Sequence, residues 1–153
     1  MKISASRNDT DAILGFSGDY RWLSNFYPVD IEFESEHYPS VEHAYQAAKT
    51  LDLKQRKQFQ DPTVLAAEAK KAGSKVELRV DWTEENRLSV MKVCLKSKFS
   101  HPSLAKKLLD TGEAYIEETN YWGDKFWGVG NRDGQGSNWL GHLIMNIRDG
   151  LDK

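Results

Sequence analysis

The sequence predicts an α+β fold that is mostly helical, forms a single domain and carries a few short strands. Its 153 residues, 39% hydrophobic and 29% charged, are the size and composition of one globular domain. The segments with helical periodicity begin at capping residues, whereas the strand-like segments are short. These short strands do not alternate with helices, which favours α+β over a βαβ repeat. We expect a polar N-terminal segment at 1–12 and the domain at 13–153.

The predicted strands come early and late in the chain. Residues 13–16 form a short apolar run before a turn, and residues 29–34 alternate strictly between apolar and polar. Between them lies an aromatic, polar and irregular segment at 20–28. Residues 114–119 and 126–129 are two further candidates for strands.

The predicted helices begin at recognisable residues. Pro39 can occupy a first helical turn, where its missing N–H costs nothing. Thr83 is a suitable N-cap for a helix with two acids in its first turn, and Asn138 is expected to N-cap the last helix. Two more helices are expected, one from 61–63 to the stop at Gly73 and one from 100–102 to 111–112.

The bulk properties exclude several classes of protein. A net charge of −2 and a pI near 6.1 argue against the broad basic surface that wraps a nucleic-acid duplex. The single cysteine, Cys94, permits no internal disulfide, and no segment has the length of apolar sequence that a membrane span needs. The histidines lack ligand spacing, so we expect no metal and no cofactor. We therefore predict a cytoplasmic protein without a membrane partner.

One predicted helix, at 39–49, aligns three groups that can carry chemistry. Glu42, Gln46 and Lys49 are spaced i, i+4 and i+7, so an ideal helix would place them on one face. Solvated surface helices also carry acid–lysine pairs at this spacing, so the helix alone does not distinguish a catalytic face from a solvated one. The alanines between these residues allow close packing on the other faces.

A glycine-rich loop at 128–138 precedes the last helix. Its four glycines permit close backbone approach, and the helix start at Asn138 would suit a phosphate. The loop matches neither the Walker A pattern nor the dinucleotide fingerprint. Taken by itself, it is better interpreted as a turn.

The remaining candidates for catalysis are carboxylates and a lysine, and those for binding are several tryptophans. Hydrolysis of an N-glycosidic bond needs a proton donor for the base and a group that traps or stabilises the sugar C1′, which Glu42, Lys49 and Asp124 could provide. Aromatic residues next to turn residues are typical of a pocket for a planar ring, although each could equally be a core residue. These aromatic residues are Trp22, Trp122, Trp127 and Trp139.

Four motifs together resemble those of one family. They lie at 22–28, 38–49, 120–128 and 138–148, and they have the order and spacing of the NADAR superfamily of YbiA-like proteins. The resemblance covers residues 13–151. The loop after Trp127 and Gly128 departs from it, because family members are often shorter there.

The resemblance implies a single α+β domain with N-glycosidase activity. Members of the family cleave the bond between ribose phosphate and a pyrimidine in riboflavin-pathway intermediates, and others remove ADP-ribose from modified bases, notably guanine. By motif, the catalytic residues are Glu42, Lys49 and Asp124, with Lys49 as nucleophile or electrostatic support. The predicted substrate-binding residues are Arg21, Trp22, Ser24, Asn25, Phe26, His43, Gln46, Trp122, Trp127, Gly128 and Asn138.

Two other functions use the same pocket. One is a non-catalytic module that binds ADP-ribose or a nucleotide, and the other is an antitoxin partner of an ADP-ribosyltransferase. A lysine placed beside carboxylates favours catalysis over binding alone. The expected partner is a small ribosylated molecule or an ADP-ribosylated base in a nucleic acid, with the choice between them open. The sequence is silent on the oligomeric state.

Overall fold

The computed structural model describes residues 5–151, which form two compact units. The terminal unit contains residues 5–24 and 99–151, and the central unit is Asn25–Lys98. The elements in chain order are β1 (Ile13–Leu14), a 3₁₀ helix (Gly18–Leu23), β2 (Ile31–Phe33), β3 (Glu36–Tyr38), α1 (Val41–Ala47), α2 (Leu53–Lys57), a 3₁₀ helix (Gln58–Gln60), α3 (Ala66–Gly73), α4 (Glu84–Lys98), α5 (Pro102–Asp110), β4 (Ile116–Glu117), β5 (Thr119–Asn120), β6 (Val129–Gly130) and α6 (Trp139–Gly150). The predicted α+β, mostly helical fold class is confirmed. Among the residues described, no helix has both the length and the apolar character to cross a bilayer.

The terminal unit contains two short parallel strand pairs, and β4 packs against α6. β1 pairs with β4, with Ile13 opposite Ile116, and β5 pairs with β6. α6 comes very close to β4 at Gly141, where a Cβ atom would lie 2.1 Å from the backbone oxygen of Ile116. Only glycine permits this approach, so Gly141 sets how deeply α6 packs against the strand.

An ion pair fastens the N-terminal segment to β4. Glu117 is fully buried, and its two carboxylate oxygens accept hydrogen bonds from Arg7 Nε at 3.0 Å and from a terminal nitrogen of Arg7 at 3.3 Å. The hydroxyl of Thr119 also donates to this carboxylate. A buried carboxylate needs such partners, so Arg7 contributes to the packing of the strands although it lies in the segment predicted to precede the domain.

The central unit contains a hairpin that the sequence pattern does not reveal. β2 and β3 are antiparallel, and only Glu34 and Ser35 connect them. Both residues have positive φ, 49° and 67°, as the two central residues of a type I′ turn require. Asn and Gly normally signal this turn, so the Glu-Ser pair predicted no hairpin. Arg56 donates a 2.8 Å hydrogen bond to Glu34, and this ion pair holds the turn.

The helices differ from the prediction mainly at their first turns. Pro39 lies before α1, and Ser40 is its N-cap, with Ser40 Oγ accepting a hydrogen bond from His43 N. α3 begins at Ala66 rather than near 61–63, because the carboxylate of Asp61 closes a local turn by accepting from the backbone and hydroxyl of Thr63. The strong start signal at 61–63 therefore belongs to a turn.

Other boundaries follow the prediction more closely. Thr83 accepts a hydrogen bond from Asn86 N at the start of α4, as an N-cap does, and α5 covers the helix predicted between 100–102 and 111–112. Asn138 precedes α6, but its side chain makes no capping bond. The short helix α2 was missed, because its five residues are too few to show a periodic apolar pattern.

One charged side chain at the end of α4 is completely buried. Lys98 has no exposed surface, and its ammonium lies over the ring of Tyr27, 5.8 Å from the ring centroid. Burial lowers the pKa of Lys98 from 10.5 to about 7. Below pH 7 the folded protein therefore carries a buried charge, and between pH 7 and 10.5 it binds fewer protons than the unfolded chain does.

This shift predicts that the free energy of unfolding depends on pH through Lys98. Stability rises with pH wherever the unfolded state binds more protons, so the contribution of Lys98 increases between pH 7 and 10.5 by up to about 1.4 kcal/mol per pH unit. Lys98→Met removes this contribution. The measurement is the free energy of unfolding of Lys98→Met minus that of wild type, obtained by urea unfolding at pH 6, 7, 8 and 9. This difference should be greatest at pH 6 and should fall above pH 7. A constant difference would contradict the prediction.

Candidate active site

The helix α1 is buried on every side. All seven of its residues, Val41–Ala47, are buried, including the polar Glu42, His43 and Gln46. A fully buried helix is usually apolar all round. Because each polar group removed from water needs a partner, the contacts of these three side chains determine what the helix can do.

His43 serves to anchor the helix. Its Nε2 lies 2.7 Å from the backbone oxygen of Val64, which can only accept, so this nitrogen carries the proton. Its Nδ1 lies 2.7 Å from Ser40 Oγ and accepts from that hydroxyl. Both ring nitrogens are thus occupied within the central unit, and they join the start of α1 to the segment before α3.

Gln46 holds the carboxylate of Glu42. Its Nε2 donates a 2.8 Å hydrogen bond to Glu42 Oε1, and the two side chains are only 4% and 7% exposed. The amide oxygen Oε1 of Gln46 finds no hydrogen-bond partner among residues 5–151. It faces Gly73 of α3, where a Cβ atom would lie 1.8 Å away. Gly73, predicted only as a helix stop, is therefore the space into which Gln46 fits.

Lys49 lies just beyond α1 rather than on it. Its backbone N–H donates to the oxygen of Gln46 at 3.2 Å, and this tighter turn keeps Lys49 close to the helix end. Its ammonium lies 5.9 Å from the centroid of the Tyr45 ring. Desolvation lowers the pKa of the half-buried Lys49, Glu42 opposes that shift, and the cations of Arg87 and Lys70 lower the pKa further.

Asp124, in the terminal unit, organises a loop. Its Oδ1 accepts hydrogen bonds from the backbone N–H groups of Phe126 at 3.0 Å and Trp127 at 2.9 Å. Asn120 braces the same loop, because its Oδ1 accepts from Asp124 N and its Nδ2 donates to Asp124 O. In the sequence Asn120 is only the first residue of the motif at 120–128, and its bracing effect depends on the shape of the loop.

The candidates within and next to the 3₁₀ helix Gly18–Leu23 have different environments. Trp22 is buried and packs edge-to-face against Phe99, which is how a core residue packs. The backbone oxygen of Asn25 accepts from Glu42 N at 3.0 Å, so Asn25 braces the first turn of α1. Among the other candidates, Arg21 and Phe26 are exposed and Ser24 is half-buried.

The candidate binding residues of the terminal unit also include both buried and exposed side chains. Trp127 is buried and packs edge-to-face on Phe126, whereas 53% of the surface of Trp122 is exposed. A Cβ atom on Gly128 would lie 2.1 Å from the backbone oxygen of Glu118, so this glycine permits a close backbone contact.

The Asn138 side chain makes its hydrogen bonds to other residues of the terminal unit. Its Oδ1 accepts from Glu118 N at 3.1 Å, and its Nδ2 donates to Ile116 O at 2.9 Å and to Tyr115 OH at 3.2 Å. Asn138 therefore ties the end of the glycine-rich loop to β4. The part of the chain that the structure describes contains no group of three or more His, Cys, Asp or Glu side chains arranged to hold a metal ion.

Comparison with known proteins identifies related chains. The NADAR domain family profile matches residues 15–152. The N-glycosidase YbiA of Escherichia coli is 36% identical over 147 residues, which are 92% of this chain and 89% of that protein. A riboflavin biosynthesis protein of Vibrio vulnificus is 33% identical over 140 residues, but this chain spans only 36% of its length. The NMR structure of Escherichia coli YbiA superimposes with a TM-score of 0.78 at 33% identity, covering 98% of this chain and 92% of that one.

The fit of Gln46 against Gly73 gives the first site prediction. In Gly73→Ala the new methyl group would displace Gln46 and weaken its bond to Glu42, so turnover should fall at least about tenfold, the value of one hydrogen bond to a charged group. Gly150→Ala is the matched control, because Gly150 also ends a helix and a Cβ there meets nothing within 4 Å. Wild-type turnover and melting temperature in Gly73→Ala would contradict the prediction.

A substitution at Asp124 can remove its charge and keep the hydrogen bonds that it accepts from the loop. Asp124→Asn keeps an oxygen that can accept from Phe126 N and Trp127 N, so the variant should remain folded, with a loss of about 1 kcal/mol or less. If the carboxylate transfers a proton, turnover should fall about a hundredfold. We expect that loss, measured together with thermal unfolding. If Asp124→Ala lowers stability while Asp124→Asn remains fully active, the role of Asp124 is structural alone.

Proposed function

The chain belongs to the NADAR domain family and is an N-glycosidase, and from this premise we propose that its substrate is a phosphoribosylated pyrimidine intermediate of riboflavin biosynthesis. The reaction is hydrolysis of the bond between the ribose C1′ and the base nitrogen. The observation that carries the proposal is that Glu42 and Gln46 lie hydrogen-bonded on a buried helix and Lys49 follows just beyond its C-terminal end. The substrate class is supported by the similarity of this chain to part of two proteins named for riboflavin biosynthesis.

Glu42 is suited to proton transfer. It is nearly excluded from water, and Gln46 fixes one of its oxygens at 2.8 Å. A carboxyl group that is held in a fixed position and shielded from water can transfer a proton to a leaving base. In this proposal Glu42 protonates the base as the C1′–N bond breaks.

Lys49 is suited to attack at C1′. Desolvation and the nearby cations Arg87 and Lys70 lower its pKa, which increases the fraction of neutral amine. The Lys49 Nζ forms a bond to C1′ while the protonated base departs. Nζ then loses a proton, the ring oxygen O4′ gains one, and the ring opens to an imine at C1′. Water hydrolyses the imine, which frees Lys49 and returns the sugar phosphate.

The experiment combines a product assay with two variants. Wild-type enzyme incubated with the phosphoribosylated pyrimidine should release ribose 5-phosphate and free base in equal amounts, as measured by mass spectrometry. Lys49→Arg keeps the charge but cannot form an imine, so it should stay folded and lose at least about a hundredfold in turnover, as should Glu42→Gln. Lys57→Arg, an exposed lysine in α2, is the matched control.

Borohydride tests the covalent step. Added during turnover, it should trap a sugar adduct on Lys49 in wild type and none in Lys49→Arg. Lost turnover in Lys49→Arg without any trapped adduct would reject the imine. Cleavage of an ADP-ribosylated guanine instead of the pyrimidine substrate would reject the proposed substrate class while keeping the reaction.

A further inference from the structure

The segment between α3 and α4 reverses the usual placement of apolar and charged side chains. Leu78 is 56% exposed and Val80 is fully exposed, whereas only 15% of the side chain of Arg79, which lies between them, is exposed. A segment of this composition would normally bury its apolar residues and expose its charge. Local rules of this kind are broken mainly at functional or strained positions, so the contacts of Arg79 are the ones that orient the segment.

Arg79 makes two hydrogen bonds to the residues that follow α1. Its backbone N–H donates to the backbone oxygen of Lys49 at 2.8 Å, and Nη1 of its guanidinium donates to the backbone oxygen of Ala48 at 3.3 Å. The last carbonyl groups of a helix have no partner within the helix, and a cation is favourable beside them. The last turn of α1 contains no basic residue, so Arg79 supplies this cation from another segment.

Asp81 holds the guanidinium of Arg79 in this position. Its two carboxylate oxygens accept hydrogen bonds from Arg79 Nε at 2.6 Å and from Arg79 Nη2 at 2.8 Å, a bidentate pair that leaves Nη1 directed at Ala48. The backbone of Asp81 is fixed in turn, because its oxygen accepts from Asn86 Nδ2 in the first turn of α4 at 2.5 Å. A chain of contacts therefore connects α4 to the end of α1.

We propose that Arg79 is a positioning residue that fixes Lys49 for its attack at C1′. The two carbonyl groups that Arg79 binds belong to the peptide groups immediately before and after Lys49, so the backbone of Lys49 is held on both sides. Displacing a reacting group by about 1 Å can lower a rate by about a hundredfold. The inference rests on the proposed function, in which Lys49 is the nucleophile, and adds the residue that sets its position.

Arg79 acts through the backbone of Lys49 and not on the substrate. Each of the three nitrogens of its guanidinium already donates to an acceptor within the central unit, two to Asp81 and one to Ala48. An interaction that serves only the reacting geometry affects kcat, whereas a contact to the bound substrate affects KM. Loss of the Arg79 side chain should therefore lower kcat and leave KM nearly unchanged.

The kinetic test uses whichever substrate wild type cleaves, the phosphoribosylated pyrimidine or the ADP-ribosylated guanine. Arg79→Met keeps most of the length of the side chain and removes its donors, so kcat should fall at least about tenfold while KM stays within about threefold. Arg79→Lys should recover part of the loss, since one ammonium cannot bind Asp81 and Ala48 as the fork does. Lys106→Met, which removes the cation of the exposed pair Lys106–Asp110, is the matched control and should leave both constants unchanged.

Amide hydrogen exchange measures how firmly Lys49 is held and needs no substrate. The backbone N–H groups of Lys49 and Thr50 donate to Gln46 O and Ala47 O, at 3.2 and 3.3 Å. In Arg79→Met both amides should exchange at least about tenfold faster than in wild type, because the end of α1 opens locally more often. The amides of α6 in the terminal unit should exchange at the wild-type rate, and thermal unfolding should show that the variant is folded.

The two measurements separate the failure of this inference from the failure of the proposed function. Wild-type exchange at Lys49 and Thr50 in Arg79→Met would overturn the positioning role whatever the activity. Faster exchange with an unchanged kcat, or a rise in KM alone, would also overturn it, since Arg79 would then serve the fold or the substrate instead. A wild-type protein that cleaves neither substrate would reject the proposed function, and the exchange rates would still decide whether Arg79 fixes Lys49.

Discussion

The complete burial of α1 is the constraint on which the rest of the central unit depends. A helix with no exposed face can carry polar side chains only if the surrounding elements supply a partner for each of them. Ser40 and the Val64 carbonyl do so for His43, and Gln46 does so for Glu42. The polar groups of α1 therefore have fixed positions and little access to water, and both properties favour proton transfer.

Small residues make this burial possible at the site. Gly73 gives Gln46 its space, and the alanines of α1 let neighbouring elements come close on the remaining sides. In the terminal unit Gly128 and Gly141 permit comparable contacts of backbone with backbone. The same steric reason therefore applies to Gly73, Gly128 and Gly141, so a larger residue at any of them should displace the neighbouring element as well as the local backbone.

The two candidate acids differ in their surroundings. Glu42 is buried in a helix and is held by an amide, whereas Asp124 caps a loop through two backbone N–H groups and keeps partial exposure. A carboxylate held by two backbone N–H groups depends on the shape of its loop, whereas one held by a neighbouring amide depends on how that amide is packed. The two acids are therefore positioned by different features of the fold.

The sequence by itself determined the α+β class, the positions of α1, α4, α5 and α6, and the motif residues Glu42, Lys49 and Asp124, because helical periodicity, caps and motif spacing are local properties of the chain. Only the tertiary structure decided that Lys49 lies beyond the helix, that Glu34 and Ser35 form a hairpin turn, that Gly73 gives Gln46 its space and that Asn120 braces the loop of Asp124. Each of these depends on a contact between segments distant in sequence or on a backbone conformation that the residue type does not favour. Local patterns carry no information about such contacts, since burial and partner choice are fixed only when the elements pack.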